Sequence, residues 1–216
     1  HLDATRDVQV SEKLATMQEA EQAFKQGKVH GIIYIPAEGV YAVFEVKPDI
    51  KGNVGENNFI EYAGLKIESV RRLKRTSVNI INAGVQVPPR PLTKILGGIL
   101  TSTNNYTHNN NDTIEEHLKN LKGLQTIELG CIVDYGAFYV NYQGEENKDE
   151  KNPQKRITEY YEMRNIEKVT FSEKQNSLVT FFLQLTRYLQ QGIGTIAAID
   201  LSEYAKNVGF TIDEKI

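Results

Sequence analysis

The sequence predicts an α/β fold in which helices flank a mixed central sheet. Short apolar runs rich in β-branched and aromatic residues alternate along the chain with longer runs whose apolar residues recur every three or four positions. Clusters of Gly, Pro, Asn and Asp separate these runs and are typical of turns. After an N-terminal helix at 8–26, the predicted order is β, β, α, β, α, a β-hairpin, α, β, α. We therefore expect residues 1–216 to form one mixed α/β domain.

The composition is that of an ordinary globular protein. With 216 residues, 40% of them hydrophobic and 25% charged, the chain can bury a sizeable core. No apolar run approaches the roughly 20 residues of a membrane helix, and the first residues lack the apolar stretch of a secretory signal, so we expect no membrane partner. The single cysteine, Cys131, excludes an intrachain disulfide, fits a cytoplasmic location and is predicted to be buried. The histidine spacing fits no zinc site.

A charged pair ends the apolar run at 40–47. The pattern predicts a buried β-strand with Glu45 and Lys47 on one face, because side chains alternate along a strand. Burying such a pair is costly unless other groups offset the cost, as a divalent metal ion and a phosphodiester would. Nucleases of the PD-(D/E)XK type use this E-x-K spacing to present a metal ligand and a catalytic lysine. Most E-x-K tripeptides are ordinary exposed charges, so the pattern alone leaves both interpretations open.

A basic helix is predicted at 57–75, and it adds a second candidate for contact with nucleic acid. Its apolar stripe is Phe59, Ala63, Ile67 and Val70. Glu68 and Arg72 are spaced for a supporting ion pair. The candidate DNA contacts are Lys66, Arg71, Arg72, Lys74 and Arg75. A solvated helix end, where cations are favourable, explains the cluster equally well.

Three regular elements are predicted after a long loop. The loop at 77–91 is rich in Asn, Gly and Pro and exceeds the usual connection length, which favours a binding or gating role. The elements are a buried strand at 94–103, a helix at 113–121 and a β-hairpin of 126–133 with 137–142. Gly97 and Gly98 allow close approach to the strand, and Thr113 is the predicted N-cap of the helix.

The last third of the chain is predicted to begin with a loop. Residues 143–168 are charged, and we expect mobility in their first half. A capping box of Ser172 and Gln175 is predicted to start a helix that ends at Gly192. The core stripe of that helix is Leu178, Phe181, Phe182, Leu185 and Leu189. A short strand at 195–199 and a helix at 200–207 complete the prediction.

Five segments in one order resemble a known family. They are PAEGVYAVFEVK (36–47), KIESVRRLKRTS (66–77), PPRPLTKILGGILT (88–101), IELGCIVDYGAFYVN (127–141) and GTIAAIDLSEYAK (194–206). Together they resemble the NucC family of PD-(D/E)XK endonucleases, which are effectors in bacterial cyclic-oligonucleotide (CBASS) anti-phage defence. The resemblance implies a restriction-endonuclease-like fold, with a mixed central sheet flanked by helices.

The resemblance also implies an activity and a set of partners. Family members cut double-stranded DNA without sequence preference, using Mg²⁺, for which Mn²⁺ could substitute. Cyclic tri-adenylate, a cyclic oligoadenylate, activates a homotrimer, and paired trimers form the cleaving hexamer that degrades DNA in abortive infection. By position, Glu45 and the Val46 carbonyl match metal ligands, Lys47 the catalytic lysine and Thr195 a second-messenger contact. The loop at 77–91 matches the family's gate loop, which closes over bound nucleotide.

One departure from the family pattern leaves two interpretations. The family's first metal ligand is an aspartate on a strand before the E-x-K strand, yet no Asp lies between Lys28 and Tyr34. We favour the omission of residues near 31–33, because a strand that pairs with the Glu45 strand is hard to dispense with. The alternative is a catalytically inactive, cyclic-nucleotide-binding oligomerisation module of the same fold. The net charge of −3 disfavours a plain DNA-binding domain.

Overall fold

A computed structural model describes residues 25–26, 37–76, 79–88, 92–106 and 110–193. Apart from residues 25–26, the predicted helix at 8–26 lies outside these ranges, as do Thr195, the strand at 195–199 and the helix at 200–207. None of the helices within the described ranges is long and apolar enough to cross a membrane.

A five-stranded mixed sheet forms the centre of the described structure. Its strands are β1 (Ala42–Asp49), β6 (Leu96–Thr103), β7 (Leu129–Ile132), β8 (Gly136–Gln143) and β9 (Asn165–Phe171), in that spatial order. The first three strands are parallel, and β8 and β9 run antiparallel to their neighbours. The mixed sheet and the β7–β8 hairpin are therefore confirmed.

Glycines let two layers pack closely onto β6. A Cβ at Gly97 would lie 2.8 Å from the side chain of Ile67, and a Cβ at Gly98 would collide with the ring of Phe44. The predicted close approach at Gly97 and Gly98 is thus confirmed, with a side chain from either face of the sheet filling the space.

Two helices cover one face of the sheet. They are α1 (Phe59–Arg71) and α2 (Asn110–Asn120). Ile60, Ala63 and Ile67 of α1 are fully buried in the larger core, whereas Val70 is only half-buried. The predicted extension of α1 to residue 75 is wrong: Arg72 is the C-cap and Leu73 is 47% exposed, so no apolar face continues the helix.

The start of α2 corrects another prediction. The helix begins by Asn110, so Thr113 lies within its first turn and is not the N-cap. A further hairpin, β4 (Ile80–Asn82) with β5 (Val85–Val87), lies inside the predicted loop at 77–91. Its turn has positive φ at Ala83 (49°) and Gly84 (80°), the pattern of a tight type I′ hairpin turn.

The opposite face of the sheet is covered by α4 (Ser177–Arg187), which continues into a π-helical turn, Tyr188–Ile193. Phe181 meets Phe44 of β1 edge-to-face, with 5.4 Å between ring centroids, which confirms Phe181 as a core residue. The predicted core positions Leu178 and Phe182 are wrong, because they are 48% and 58% exposed. The buried face of α4 instead carries polar residues beside Phe181, namely Ser177, Thr180, Gln184 and Arg187.

Both predicted ends of α4 also differ from the structure. Ser172 does not cap the helix: its Oγ accepts from the Ala137 backbone N–H (2.9 Å) and so ties the end of β9 to β8. A 3-10 turn, Lys174–Asn176, then precedes the helix. Gly192 lies within the π-helical turn and does not end it.

The charged stretch at 143–168, predicted to be loop-like in its first half, contains two elements that the sequence pattern did not reveal. They are α3 (Pro153–Met163) and most of β9. The side chain of Asn152 caps α3 by accepting from the backbone N–H groups of Gln154 and Lys155. The predicted loop character of the first half of 143–168 ends at residue 152, because the capped helix begins at Pro153.

Candidate active site

The structure places Glu45 and Lys47 together on one face of β1. Lys47 Nζ lies 2.7 Å from Glu45 Oε1, and the two side chains are 19% and 18% exposed. The predicted shared face is confirmed. The predicted burial of the whole strand is wrong, however, because β1 is half-buried and Val46 is 67% exposed. The reason is that β1 lies at the edge of the sheet formed by the described residues.

The alternation of backbone groups along β1 determines where the Val46 carbonyl points. Leu96 N–H donates to the Tyr41 carbonyl, so Tyr41 and every second residue after it direct their backbone groups towards β6. Val46 belongs to the other set, and its carbonyl faces the edge that no described strand pairs with. The alternation changes by Pro48, whose carbonyl accepts from the Thr103 hydroxyl of β6 (3.2 Å).

The start of α1 covers the ammonium group of Lys47. Lys47 Nζ lies 5.3 Å from the ring centroid of Phe59 and 4.7 Å from that of Tyr62, and Lys66 Nζ lies 4.9 Å from the same Tyr62 ring. A short hairpin, β2 (Asn53–Val54) with β3 (Asn57–Asn58), turns the chain back so that α1 packs beside β1. Asn58 begins α1 with a reciprocal capping box to Glu61.

Oxygen donors of the kind that Mg²⁺ prefers are present at this site. The Glu45 carboxylate and the Val46 carbonyl are both hard oxygen ligands. Asp49 continues the same face of β1, but its carboxylate already accepts from Lys51 N–H, from Asn105 and from the Thr103 hydroxyl. Within the described ranges, no group of three or more His, Cys, Asp and Glu side chains could hold a metal ion. The residues present therefore fit Mg²⁺ in kind but supply only part of its ligand set.

Two of the predicted DNA contacts are instead buried. Arg71 is 2% exposed, and its guanidinium donates to three backbone carbonyls and to Glu128 (2.8 Å). Arg75 is 4% exposed and donates to the Thr93 carbonyl. Their burial removes Arg71 and Arg75 from the candidate DNA contacts. A guanidinium in a basic run looks the same in sequence whether it meets solvent or a ring of carbonyls.

The other basic candidates lie nearer the surface. Arg72 is mostly exposed (68%) and forms the predicted ion pair with Glu68. Lys74 is exposed, and Lys66 is half-buried over Tyr62. For these three positions, contact with a phosphate backbone stays a prediction.

Glu128 forms a charge network that sequence reasoning missed. Its carboxylate accepts from Arg71, from Arg164 and from the Gly97 backbone N–H (2.6 Å). Burial disfavours the ionised carboxylate, but Arg164 and Arg71 outweigh that effect and lower the pKa of Glu128. The one signal in the sequence was a glutamate inside the apolar run IELGCIV.

A cavity of about 1440 Å³ lies at the end of the sheet where β1 and β6 begin. Tyr41, Leu96 and Tyr139 contribute from the sheet, and Arg75 and Tyr188 from other elements. Ile193, the last described residue, also lines it. Since Lys47 lies towards the other end of β1, the cavity is separate from the Glu45–Lys47 pair.

Comparison with known proteins identifies relatives. No protein-family model matches the chain. The chain is 32% identical over 174 residues to the endodeoxyribonuclease NucC of Escherichia coli (strain MS 115-1). The aligned region covers 81% of this chain and 61% of that protein. It is 37% identical over 105 residues to the NucC of Pseudomonas aeruginosa, covering 49% of this chain and 42% of that protein. This chain is a homologue of NucC.

Solved NucC structures support the same relationship. The apo and cAAA-bound structures of E. coli NucC match 81% of this chain at 31% identity, with TM-scores of 0.54 and 0.55. The matches cover 65% and 60% of those chains. A cAAA-bound NucC from P. aeruginosa matches with a TM-score of 0.55 at 28% identity, over 81% of this chain and 61% of that one. The predicted restriction-endonuclease-like fold is confirmed. The chain spans about three fifths of the E. coli NucC sequence.

Proposed function

We propose that this NucC homologue is a Mg²⁺-dependent endonuclease that cuts double-stranded DNA without sequence preference. The observation that carries the proposal is the Glu45–Lys47 pair, which is held on one face of β1 against the start of α1. The relatives are named endodeoxyribonucleases, which supports the same reaction class. Metal-dependent phosphodiester hydrolysis uses a metal ligand and a cation near one phosphate, and these two side chains would supply that pair.

Each group has a distinct part in this proposal. Bound Mg²⁺ would polarise the phosphate and lower the pKa of an attacking water. The Glu45 carboxylate and the Val46 carbonyl would hold the ion. The Lys47 ammonium would position the water or offset the charge that builds on the phosphate oxygens. Lys66, Arg72 and Lys74 would contact the DNA backbone, which gives sequence-independent and salt-dependent binding.

One edge of β1 pairs with no strand of the described residues, which supports the proposal that a further strand completes the site. A strand paired there would place its side chains beside Glu45 and the Val46 carbonyl. We keep the prediction that an aspartate-bearing segment is omitted near residues 31–33. That segment would supply the missing carboxylate ligand.

We further propose that a cyclic oligoadenylate, cyclic tri-adenylate, activates the enzyme. The support is that two of the matched NucC structures are described as cAAA-bound. The cavity at the start of β1 is a candidate pocket, because its lining residue Ile193 lies two positions before Thr195. We also propose that the loop at 77–91 acts as a gate and that the chain forms a trimer, two of which pair to a hexamer. An anti-phage role and a cytoplasmic location belong to the same proposal.

The direct test is cleavage of linear double-stranded DNA with Mg²⁺ and cyclic tri-adenylate, comparing the wild-type chain with Lys47→Ala. We expect the variant to keep the melting temperature and nearly the DNA affinity of the wild type but to lose cutting. Lys122→Ala serves as the control, because Lys122 is an exposed lysine that donates to the Lys119 carbonyl. Cutting by Lys47→Ala at the wild-type rate would remove Lys47 from the mechanism.

A second candidate function is a catalytically inactive module that binds the cyclic nucleotide and oligomerises. The incomplete ligand set within the described ranges favours it. Binding of cyclic tri-adenylate without Mg²⁺-dependent cutting would support this alternative. An intact mass well above 24.4 kDa would instead reveal the omitted residues and argue against it.

A further inference from the structure

Tyr62 lies between two lysines at the candidate active site. Its ring centroid is 4.7 Å from Lys47 Nζ and 4.9 Å from Lys66 Nζ. Lys47 Nζ is at the same time 2.7 Å from Glu45 Oε1. One aromatic side chain therefore contacts both the proposed catalytic lysine and a second ammonium group.

This arrangement restricts a side chain that is otherwise flexible. A lysine has a four-carbon stem, and a single ion pair with a neighbour two residues away leaves the ammonium several positions. An ammonium over an aromatic face is attracted by the negative face of the ring. Because Tyr62 and Phe59 stand on the first turns of a capped helix, they give Lys47 a fixed second contact.

The charges around the ring also point to an anion. The two ammonium groups on one ring repel each other, and an anion that contacts both relieves that repulsion. The ring offsets part of that repulsion. A phosphodiester, with its anionic oxygens, is the ligand class that such a pair of ammonium groups suits.

We propose that Tyr62 is a positioning residue whose ring holds Lys47 and Lys66 beside Glu45, so that both lysines contact the phosphate oxygens of the DNA backbone. The part of this inference that concerns DNA rests on the proposed nuclease function. The positioning of the lysines can be measured without any cleavage.

The first experiment uses NMR of the full chain with labelled lysine side chains, assigned with Lys47→Ala and Lys66→Ala. Protons near an aromatic ring shift upfield, so we expect upfield ε-CH₂ signals from both lysines. Tyr62→Phe keeps the ring and should retain these shifts, whereas Tyr62→Leu should lose the shift of Lys66 and reduce that of Lys47, which still contacts the Phe59 ring. Tyr135→Leu is the matched control, because Tyr135 is a half-buried tyrosine that packs on the same core. Unchanged Lys47 and Lys66 signals in Tyr62→Leu would overturn the proposal.

The second experiment measures DNA cleavage and DNA binding by the same variants. We expect Tyr62→Leu to lower kcat at least tenfold while Tyr62→Phe stays within about threefold of the wild type, a rescue that mere loss of stability would not give. Lys66→Ala should weaken DNA binding and reduce its salt slope by about one. Equal kcat for Tyr62→Leu and wild type, or equal damage by Phe and Leu, would contradict the inference. If the wild-type chain cut no DNA, the proposed function would fail, and the NMR shifts would still decide the positioning of the lysines.

Discussion

On β1, the spacing of residues predicts which face a side chain lies on but does not predict its tertiary contacts. Alternation along a strand was enough to place Glu45 and Lys47 on one face, and the structure confirms this with an ion pair. The contact of Lys47 with Tyr62 was not predictable, because it depends on how a later helix packs against the strand. The spacing of residues fixes which face a side chain takes, and tertiary packing fixes what it meets there.

Cys131 gives a prediction at the scale of one residue. The thiol is 2% exposed, and burial raises its pKa to about 11, against a small opposing effect of a hydrogen bond with Ser177. Because the thiolate is the reactive form, we expect Cys131 to resist a thiol-specific reagent such as DTNB at pH 8 in the native protein. The same protein in denaturant should react fully and provides the control. Rapid labelling of native protein would show that Cys131 is accessible.

Arg71 and Arg75 mark the limit of prediction from residue type. Both lie in a run of basic residues that predicts either a solvated helix end or a DNA contact. Neither interpretation holds for them, since Arg71 is enclosed by carbonyl groups and Glu128. The carbonyls belong to residues 24 or more positions away in the sequence, so no local sequence pattern predicts their contact with Arg71.

The elements of the sheet core were predictable where their apolar pattern is strong. The strand at 94–103 and the hairpin of β7 and β8 follow their predicted positions within a few residues. In contrast, α3 and β9 escaped prediction, since each carries few buried residues and many charges. Their stability comes from capping, from pairing with β8 and from Tyr161, whose hydroxyl donates to the Ile95 carbonyl (2.8 Å).

The cap of α1 supports a prediction at the scale of an element. Asn58 Oδ1 accepts from the Glu61 backbone N–H (2.9 Å), and Glu61 in turn accepts from the Asn58 backbone N–H. Asn58→Ala should lower the free energy of unfolding by about 1 kcal/mol, measured by urea denaturation. Asn53, the exposed hairpin partner of Asn58, provides the control, and Asn53→Ala should change little. Equal effects of the two substitutions would contradict the role of the cap.

The Glu128 network joins three elements and predicts how stability depends on pH. Arg71 of α1 and Arg164 after α3 both pair with Glu128 ahead of β7. Because folding lowers the pKa of Glu128, its contribution is present above the unfolded value near 4.3 and is lost as pH falls through the folded pKa. Urea denaturation between pH 3 and 7 should show this loss.

The substitution Glu128→Gln tests the same network. It leaves two buried guanidinium groups without their counter-charge, so we expect a loss of roughly 3–5 kcal/mol at pH 7. Part of the acid dependence of stability should disappear with it. An unchanged pH profile would show that other carboxyl groups control acid unfolding.

At the scale of the whole molecule, the structure matches solved NucC structures over 81% of this chain. The sheet order β1-β6-β7-β8-β9 places the Glu45–Lys47 strand at an edge of the sheet formed by the described residues. Within the described residues, no second carboxylate completes the proposed metal site at Glu45, and the chain spans about three fifths of its E. coli relative. The sequence indicated both the resemblance to NucC and the missing aspartate ligand, because each is recognised from short local segments. It did not indicate the cavity at the other end of β1, because six or more separate segments build its walls.

The most direct test of a nucleotide-gated nuclease is plasmid degradation by the purified chain in Mg²⁺, with and without cyclic tri-adenylate. The account predicts cutting only when the nucleotide is present, which would also require that a complete metal site forms. Binding of the nucleotide with no cutting under either condition would contradict it. That result would identify the chain as an inactive sensor that retains the nuclease fold.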